Sequence, residues 1–204
     1  MEGLYRPIKK DLSRLAQTCA EAFIDYPLHA YAVPERTERE KLLPSYFKVM
    51  VRYGFKFGDM YATSENLEGV AIYIHPESGP ITTWRWVQCG MLGFMHECGS
   101  AAMKRYNQAI APIEMLKKKH APPPFTYLGY LAVEPRSQNR GYASKLVKPM
   151  LDHLAEKKMA CYLETFKPKN EEFYNRLGFK TVEKFPLPGT DLTVISLLWQ
   201  PSEK

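Results

Sequence analysis

The sequence contains little cysteine, with four thiols in 204 residues, at Cys19, Cys89, Cys98 and Cys161. No two of them form a C-x-x-C pair and no histidine cluster completes a zinc pattern, which argues against a disulfide scaffold and a structural zinc site. We therefore expect reduced thiols, a cytoplasmic location and no bound metal. Long apolar runs are also absent. The most apolar window, residues 84–94, is short and contains Arg85, so we expect no membrane span.

Several common sequence signatures are missing as well. The first six residues contain no apolar run, so we expect no signal peptide. No G-x-x-x-x-G-K motif is present, which excludes a Walker phosphate loop, and no G-x-G-x-x-G fingerprint of a dinucleotide-binding fold occurs. Neither an internal repeat nor a low-complexity segment stands out, so we expect neither a repeat protein nor a disordered chain.

The chain does contain enough apolar material for a core. Hydrophobic residues make up 45% of the sequence and aromatic residues 13%, and a length of 204 residues suits one domain. We therefore predict a single domain over residues 1–204, in which residues 82–120 form a helical insertion.

The net charge of +6, from 28 basic and 22 acidic residues, favours an anionic partner without identifying one. Coenzyme A, nucleic acid and an acidic membrane all fit, and so does an ordinary solubilising surface. The three lysines at 117–119 are interpreted as a solvated helix end, and basic residues do not alternate with aromatic ones along one face. We therefore expect neither nucleic acid nor a membrane as a partner.

Hydrophobic periodicity predicts a mixed α/β layout around one sheet. A first helix should follow Asp11 and end at Pro27, and a second should begin at the capping-box pattern of residues 37–40 and be kinked or split by Pro44. The other predicted elements are a hairpin of 55–63 with 68–75, a strand at 125–133, a helix at 143–154, a strand at 159–166, a short helix at 170–177 and a hairpin of 180–185 with 192–199.

One joint in this layout has the properties of an anion site. The strand at 125–133 leads into residues 138–143, a loop with the sequence Gln-Asn-Arg-Gly-Tyr-Ala, which opens an amphipathic helix. Free backbone N–H groups and the positive end of a helix dipole meet at such a point, and Gly141 lets the backbone approach a phosphate closely. An ordinary tight turn would use the same glycine, so the loop alone leaves both interpretations open.

The loop and its strand together resemble motif A of the GNAT superfamily of N-acetyltransferases. The resemblance rests on the pattern Gln138-x-x-Gly141-x-Ala143 and on the strand end at residues 131–133. It implies a GNAT-like α/β (α+β) fold with a mixed, mostly antiparallel sheet, a loop that binds the pyrophosphate of acetyl-CoA, and a bulged strand whose backbone pairs with the pantetheine arm. The cofactor-binding residues that it implies in motif A are Leu131, Ala132, Val133, Gln138, Asn139, Arg140, Gly141, Tyr142, Ala143 and Ser144.

A second stretch resembles motif B of the same family. Asn170 is followed by residues 173–179, Phe-Tyr-Asn-Arg-Leu-Gly-Phe, in which a tyrosine lies four residues before a Gly-Phe pair. The resemblance implies that Asn170 and Phe173 also bind the cofactor and that Tyr174 protonates the departing thiolate of coenzyme A. Without it, Tyr174 would be interpreted as a core tyrosine.

Glu164 is the candidate base that deprotonates the acceptor amine. It lies on a predicted strand beside the expected cleft, and partial burial of a carboxyl group raises its pKa. It could equally bind the substrate ammonium as a counter-charge or belong to a structural ion pair. Tyr127 is a second candidate, more suited to positioning a water. The surrounding Leu-Glu-Thr of 163–165 is similar to the puromycin-acetyltransferase-like subgroup.

Together these residues predict an N-acetyltransferase that moves an acetyl group from acetyl-CoA to a primary amine of a small molecule by direct transfer in a ternary complex. The alternatives are a non-catalytic acyl-CoA-binding sensor or subunit of the same fold and a basic nucleic-acid-binding domain. Homodimers are common in the family, so a homodimer is one expectation. The residues expected to line the acceptor pocket are Asp25, Tyr26, Tyr31, Trp84 and Trp86, although the tryptophans could instead pack the inserted helices.

Overall fold

The computed structural model describes Met1 and residues 3–202, and the strands in this part of the chain form one six-stranded sheet. In chain order they are β1 (Asp59–Ala62), β2 (Gly69–Ile74), β3 (Phe125–Val133), β4 (Ala160–Thr165), β5 (Lys180–Pro186) and β6 (Thr193–Trp199). Their order in the sheet is β1-β2-β3-β4-β6-β5, and every neighbouring pair is antiparallel except β3 with β4. The predicted mixed, mostly antiparallel sheet is confirmed.

Helices cover both faces of this sheet. They are α1 (Leu12–Phe23), α2 (Pro27–Ala32), α3 (Arg36–Phe57), α4 (Thr83–Cys89), α5 (Met91–His120), α6 (Tyr142–Glu156) and α7 (Pro168–Arg176). Within the described ranges, none of them combines the length and the apolar character that crossing a bilayer requires.

Two hydrophobic clusters join the helices to the sheet. The first packs α1 to α5 against one face, with Leu43 and Phe47 of α3 fully buried. The second packs α6 and α7 against the opposite face, where Leu146, Met150 and Leu154 lie on one side of α6 at helical spacing. The periodicity of the sequence therefore determines which side of each helix enters the core.

A bulge and an early end of pairing distinguish β3 from its neighbours. Tyr130 lies opposite Ile72 and Leu128 opposite Tyr73, so Gly129 is the extra residue of a β-bulge. On its other side β3 pairs with β4 over residues 125–127 only. The carboxyl-terminal half of β3 therefore separates from β4 inside the sheet.

Two helix boundaries near prolines differ from the sequence-based prediction. Pro27 was predicted to end the first helix, but it is the first residue of α2, where its missing N–H costs no hydrogen bond. The α3 helix begins at Arg36, before the predicted cap at Thr37, and continues through Pro44 to Phe57. We attribute this continuity to the burial of Leu43 and Phe47 on either side of Pro44, which offsets one lost helical hydrogen bond.

The Leu146→Ala variant should test the core beneath α6. Leu146 is fully buried in the second cluster, so the variant should lower the free energy of unfolding by about 2–5 kcal/mol. The matched control is Leu92→Ala, because Leu92 is 62% exposed and its loss should change stability by less than about 0.5 kcal/mol. Urea unfolding of both variants measures the difference, and equal losses would contradict this assignment of the core.

Candidate active site

A cavity of about 440 Å³ lies beside the separated end of β3. Its walls come from four parts of the chain: the end of α1 and the residues after it, the end of β3, the loop before α6 with the first turn of that helix, and α7 with the residue before it. Most of the predicted site residues line it. Those that do are Leu131, Val133, Gln138, Asn139, Gly141, Tyr142, Ala143, Ser144, Asn170, Phe173 and Tyr174. The predicted residues that do not line it are Ala132, Arg140 and Glu164.

Backbone N–H groups at the end of β3 point into the gap between β3 and β4. The N–H of Glu134 donates to Glu68 on the β2 side. Since successive N–H groups of a strand point in opposite directions, those of Val133 and Leu131 point away from β2. The side chain of Gln138 donates from Nε2 to the carbonyl of Val133 at 3.0 Å, which places Gln138 along this open edge.

The loop before α6 ends in a left-handed turn. Gly141 has φ +80° and is followed directly by the first residue of α6, a 15-residue helix. The N–H of Lys145 donates to the carbonyl of Gly141, so the N–H groups of residues 142–144 precede the first helical hydrogen bond. A Cβ atom at Gly141 would have no neighbour within 4 Å, so the loop is open toward the cavity. This combination of free donors, a helix dipole and open space fits a diphosphate.

Tyr174 of α7 forms part of the opposite wall. It is buried in the second cluster, and burial raises the pKa of its phenol, so the hydroxyl stays protonated at neutral pH. Asn170 donates from Nδ2 to Thr165 Oγ1 at 3.1 Å. The hydroxyl of Tyr26 lies 3.1 Å from the same Oγ1 and accepts a hydrogen bond from the N–H of Phe166 at 2.8 Å. These contacts fix the end of β4 beside the cavity.

Glu164 points to the other face of the sheet. Leu163 belongs to the second cluster with Tyr174, so the alternation along β4 directs Glu164 away from it. Both carboxylate oxygens are buried without a hydrogen-bond partner among the described residues. Burial raises the pKa of Glu164 to about 7, although Tyr127 and Lys117 nearby act in the opposite direction.

The predicted lining of the acceptor pocket is only partly found at the cavity. Tyr26 lines the cavity, but Trp86 stacks on Tyr53 with ring centroids 4.1 Å apart, and Trp84 is 67% exposed. Asp25 forms ion pairs with two arginines of α3, and the hydroxyl of Tyr31 donates to Gln108. Neither tryptophan lines this cavity, and the stacking of Trp86 follows the alternative in which it packs the inserted helices.

Sequence reasoning missed several residues that line the cavity. Phe23 enters it from α1, and the basic residues Lys167, Lys169 and Arg176 enter it from the neighbourhood of α7. The only available signal for the basic residues was their spacing around a short helix beside the motif B tyrosine.

Comparison with known proteins gives a family and a fold. The model of the Acetyltransferase (GNAT) family matches residues 64–179, which is more than half of the chain. An uncharacterized N-acetyltransferase of Schizosaccharomyces pombe is 23% identical over 180 residues, covering 83% of this chain and 71% of that protein.

Solved structures of acetyltransferases share the fold over nearly the whole chain. The histone acetyltransferase HPA2 and related acetyltransferase from Corynebacterium glutamicum has a TM-score of 0.65 at 17% identity, covering 98% of this chain and 97% of that one. Arylalkylamine N-acetyltransferase 2 from Aedes aegypti has a TM-score of 0.59 at 13% identity, covering 98% of each chain. At these identities the likeness concerns the fold alone.

The buried carboxyl group should make stability depend on pH. The pKa of Glu164 is raised from 4.5 to about 7 in the folded chain, so its ionisation opposes folding as the pH rises through this range. Relative to Glu164→Gln, the wild type should lose about 3 kcal/mol of stability between about pH 4 and pH 8, because one pKa unit is worth about 1.4 kcal/mol. Urea unfolding at both pH values measures this loss. The control is Glu97→Gln, on an exposed glutamate, which should have the stability of the wild type at both pH values. If the stability difference between the wild type and Glu164→Gln is the same at both pH values, Glu164 is not a buried carboxyl group with a raised pKa.

Proposed function

Because the chain belongs to the Acetyltransferase (GNAT) family, we propose that it transfers an acetyl group from acetyl-CoA to a primary amine of a small molecule. The observation that supports this most is the cavity, where the open edge of β3, the loop before α6 and Tyr174 meet although they are far apart in sequence. The narrower similarity to the puromycin-acetyltransferase-like subgroup stays a prediction.

The residues of the cavity suit two parts of acetyl-CoA, the diphosphate and the pantetheine arm. The N–H groups of residues 142–144 and the open turn at Gly141 would hold the diphosphate. The N–H groups of Leu131 and Val133 would pair with the amides of the pantetheine arm as an added strand does. Bound in this way, acetyl-CoA supplies a thioester carbonyl that an amine can attack.

The two candidate catalytic groups approach the separation between β3 and β4 from opposite faces of the sheet. Glu164, with a pKa of about 7, can accept the proton that an ammonium must lose before it reacts. Tyr174 keeps its proton at neutral pH and can donate it to the leaving sulfur. Overall, a C–N bond forms, a C–S bond breaks, the thiol gains one proton and one proton leaves to water.

Direct transfer agrees with the protonation state of the β4 cysteine. Cys161 of β4 is fully buried, and burial raises the pKa of its thiol to about 12. A thiol in that state is a poor nucleophile at neutral pH, so Cys161 is unsuited to carry the acetyl group.

Gly141→Ala and Gly189→Ala form a matched pair for the phosphate loop. Both glycines have positive φ and open space around a built Cβ, so both variants should lose about 1–2 kcal/mol of stability from backbone strain. Only Gly141 lines the cavity, where the added methyl group would stand between the donors and a diphosphate. Titration calorimetry should give about tenfold weaker coenzyme A binding for Gly141→Ala alone. Equal affinities in the two variants would contradict the loop assignment.

Thiol release from acetyl-CoA with a panel of small primary amines tests the activity itself. The wild type should release thiol with at least one amine, and Tyr174→Phe should lower kcat about 100-fold or more with little change in the KM for acetyl-CoA. Tyr61→Phe is the control, since Tyr61 lies at the β1 edge of the sheet, outside this cavity. An unchanged kcat in Tyr174→Phe would contradict the role of Tyr174 as the proton donor.

A further inference from the structure

The hydroxyl group of Tyr26 is held at the end of β4. Tyr26 lies between α1 and α2, and its side chain lines the cavity. Its oxygen accepts a hydrogen bond from the N–H of Phe166 at 2.8 Å and lies 3.1 Å from Thr165 Oγ1. The ring packs edge-on against Phe23 and Phe166, with centroids 5.0 and 6.2 Å away. The phenol therefore has a fixed position in the cavity wall.

The direction of the hydrogen bond between Tyr26 and Thr165 follows from the other partners of Thr165. Its Oγ1 accepts from Nδ2 of Asn170 at 3.1 Å and from the N–H of Lys167 at 3.2 Å. A hydroxyl oxygen has two acceptor lone pairs and one O–H donor, so both lone pairs of Thr165 are occupied. The O–H of Thr165 consequently donates to the oxygen of Tyr26.

The same count leaves the proton of Tyr26 without an acceptor. The Tyr26 oxygen already accepts from Phe166 and from Thr165, and its own O–H meets no other hydrogen-bond partner in the described part of the chain. Burial raises the pKa of the phenol, although its bonds to Thr165 and Phe166 act in the opposite direction, so the hydroxyl keeps its proton at neutral pH. Because hydroxyl donors in a protein are seldom left unpaired, this one is available to a ligand of the cavity.

Tyr26 and Tyr174 line the cavity from opposite faces of the sheet. Tyr26 packs against the first hydrophobic cluster, whereas Tyr174 belongs to the second. The two phenols are near each other, since Tyr26 adds to the effect of burial in raising the pKa of Tyr174. During acyl transfer from a thioester, negative charge develops on the carbonyl oxygen and on the departing sulfur. Two neutral phenol donors match these two atoms.

We propose that the hydroxyl of Tyr26 donates a hydrogen bond to the carbonyl oxygen of the acetyl thioester and is a further catalytic residue; this rests on the proposed function. Tyr174 is then the donor to the sulfur. Tyr26 keeps its proton throughout, and its hydrogen bond strengthens while the attack of the amine places negative charge on the carbonyl oxygen. Because the end of β4 fixes the donor before the reaction, little reorganisation accompanies this stabilisation.

The infrared carbonyl band of bound acetyl-CoA, isotope-labelled at the thioester carbonyl and recorded without an amine, tests this assignment. A hydrogen bond to the oxygen lowers the stretching frequency, so the band should lie lower in the wild type than in Tyr26→Phe. The matched control is Tyr46→Phe, which should keep the wild-type band. Its hydroxyl is bonded to that of Tyr130 in the first cluster, and neither residue lines the cavity. With a reactive amine, Tyr26→Phe should lower kcat about 100-fold or more with little change in the KM for acetyl-CoA.

A second variant separates the missing donor from a disturbed strand end. Thr165→Val removes the neighbouring hydroxyl but leaves Tyr26 with its hydrogen bond from Phe166, so the carbonyl band should stay at the wild-type frequency. If the band moves as far in Thr165→Val as in Tyr26→Phe, a change in the end of β4 accounts for both shifts and the assignment is wrong.

The outcomes separate this inference from the proposed function. Equal carbonyl bands in the wild type and Tyr26→Phe overturn the role of Tyr26, even where thiol release with an amine supports the transfer itself. A band that rises in Tyr26→Phe, without thiol release for any amine, supports the donor and contradicts the proposed transfer. Absence of acetyl-CoA binding to the wild type overturns both.

Discussion

The separation of β3 from β4 after a short stretch of parallel pairing is the constraint on which the candidate site depends. The two strands pair over residues 125–127 and then diverge, and the bulge at Gly129 lies just beyond this stretch. In a continuous sheet the N–H groups of Leu131 and Val133 would be taken up by the next strand. Here they face the separation beside the cavity, so a ligand with amide groups can complete the sheet.

The two candidate catalytic groups lie on opposite faces of the sheet. Tyr174 belongs to the cluster beneath α6 and α7, whereas Glu164 points to the face covered by α5. Burial acts on both groups but has different chemical consequences. It keeps the phenol protonated and able to donate, and it brings the carboxyl group to a pKa of about 7, where it can accept a proton at neutral pH. A candidate proton donor and a candidate proton acceptor thus lie on opposite faces of the sheet.

The local sequence pattern predicted the strands and helices that form the site better than it predicted where the helices end. The strand at 125–133 has the predicted bounds, because its apolar run is enclosed by a proline-rich connector and a polar loop. Pro27 and Pro44 misled the prediction, because the cost of a proline depends on its position in the first turn and on the packing around it. These are properties of position and packing that a propensity rule does not contain.

Within the site, the loop and the motif B tyrosine were recognisable as short patterns, and their roles stay predictions. The proximity of Glu164 to Ser196 could not be predicted, because it depends on the register of β4 with β6, which joins distant parts of the chain. The placement of Trp86 on Tyr53 is likewise a tertiary contact between α4 and α3 that no spacing along the sequence indicates.

Hydrogen exchange at the open edge of β3 tests the account most directly. The amides of Leu131 and Val133 should exchange much more slowly after acetyl-CoA is added, because the ligand would accept their hydrogen bonds or shield them from water. The amide of Ala132, which points toward β2, should change little. If the exchange of Leu131 and Val133 is the same with and without a high excess of acetyl-CoA, the separation between β3 and β4 does not bind the thioester and the account is wrong.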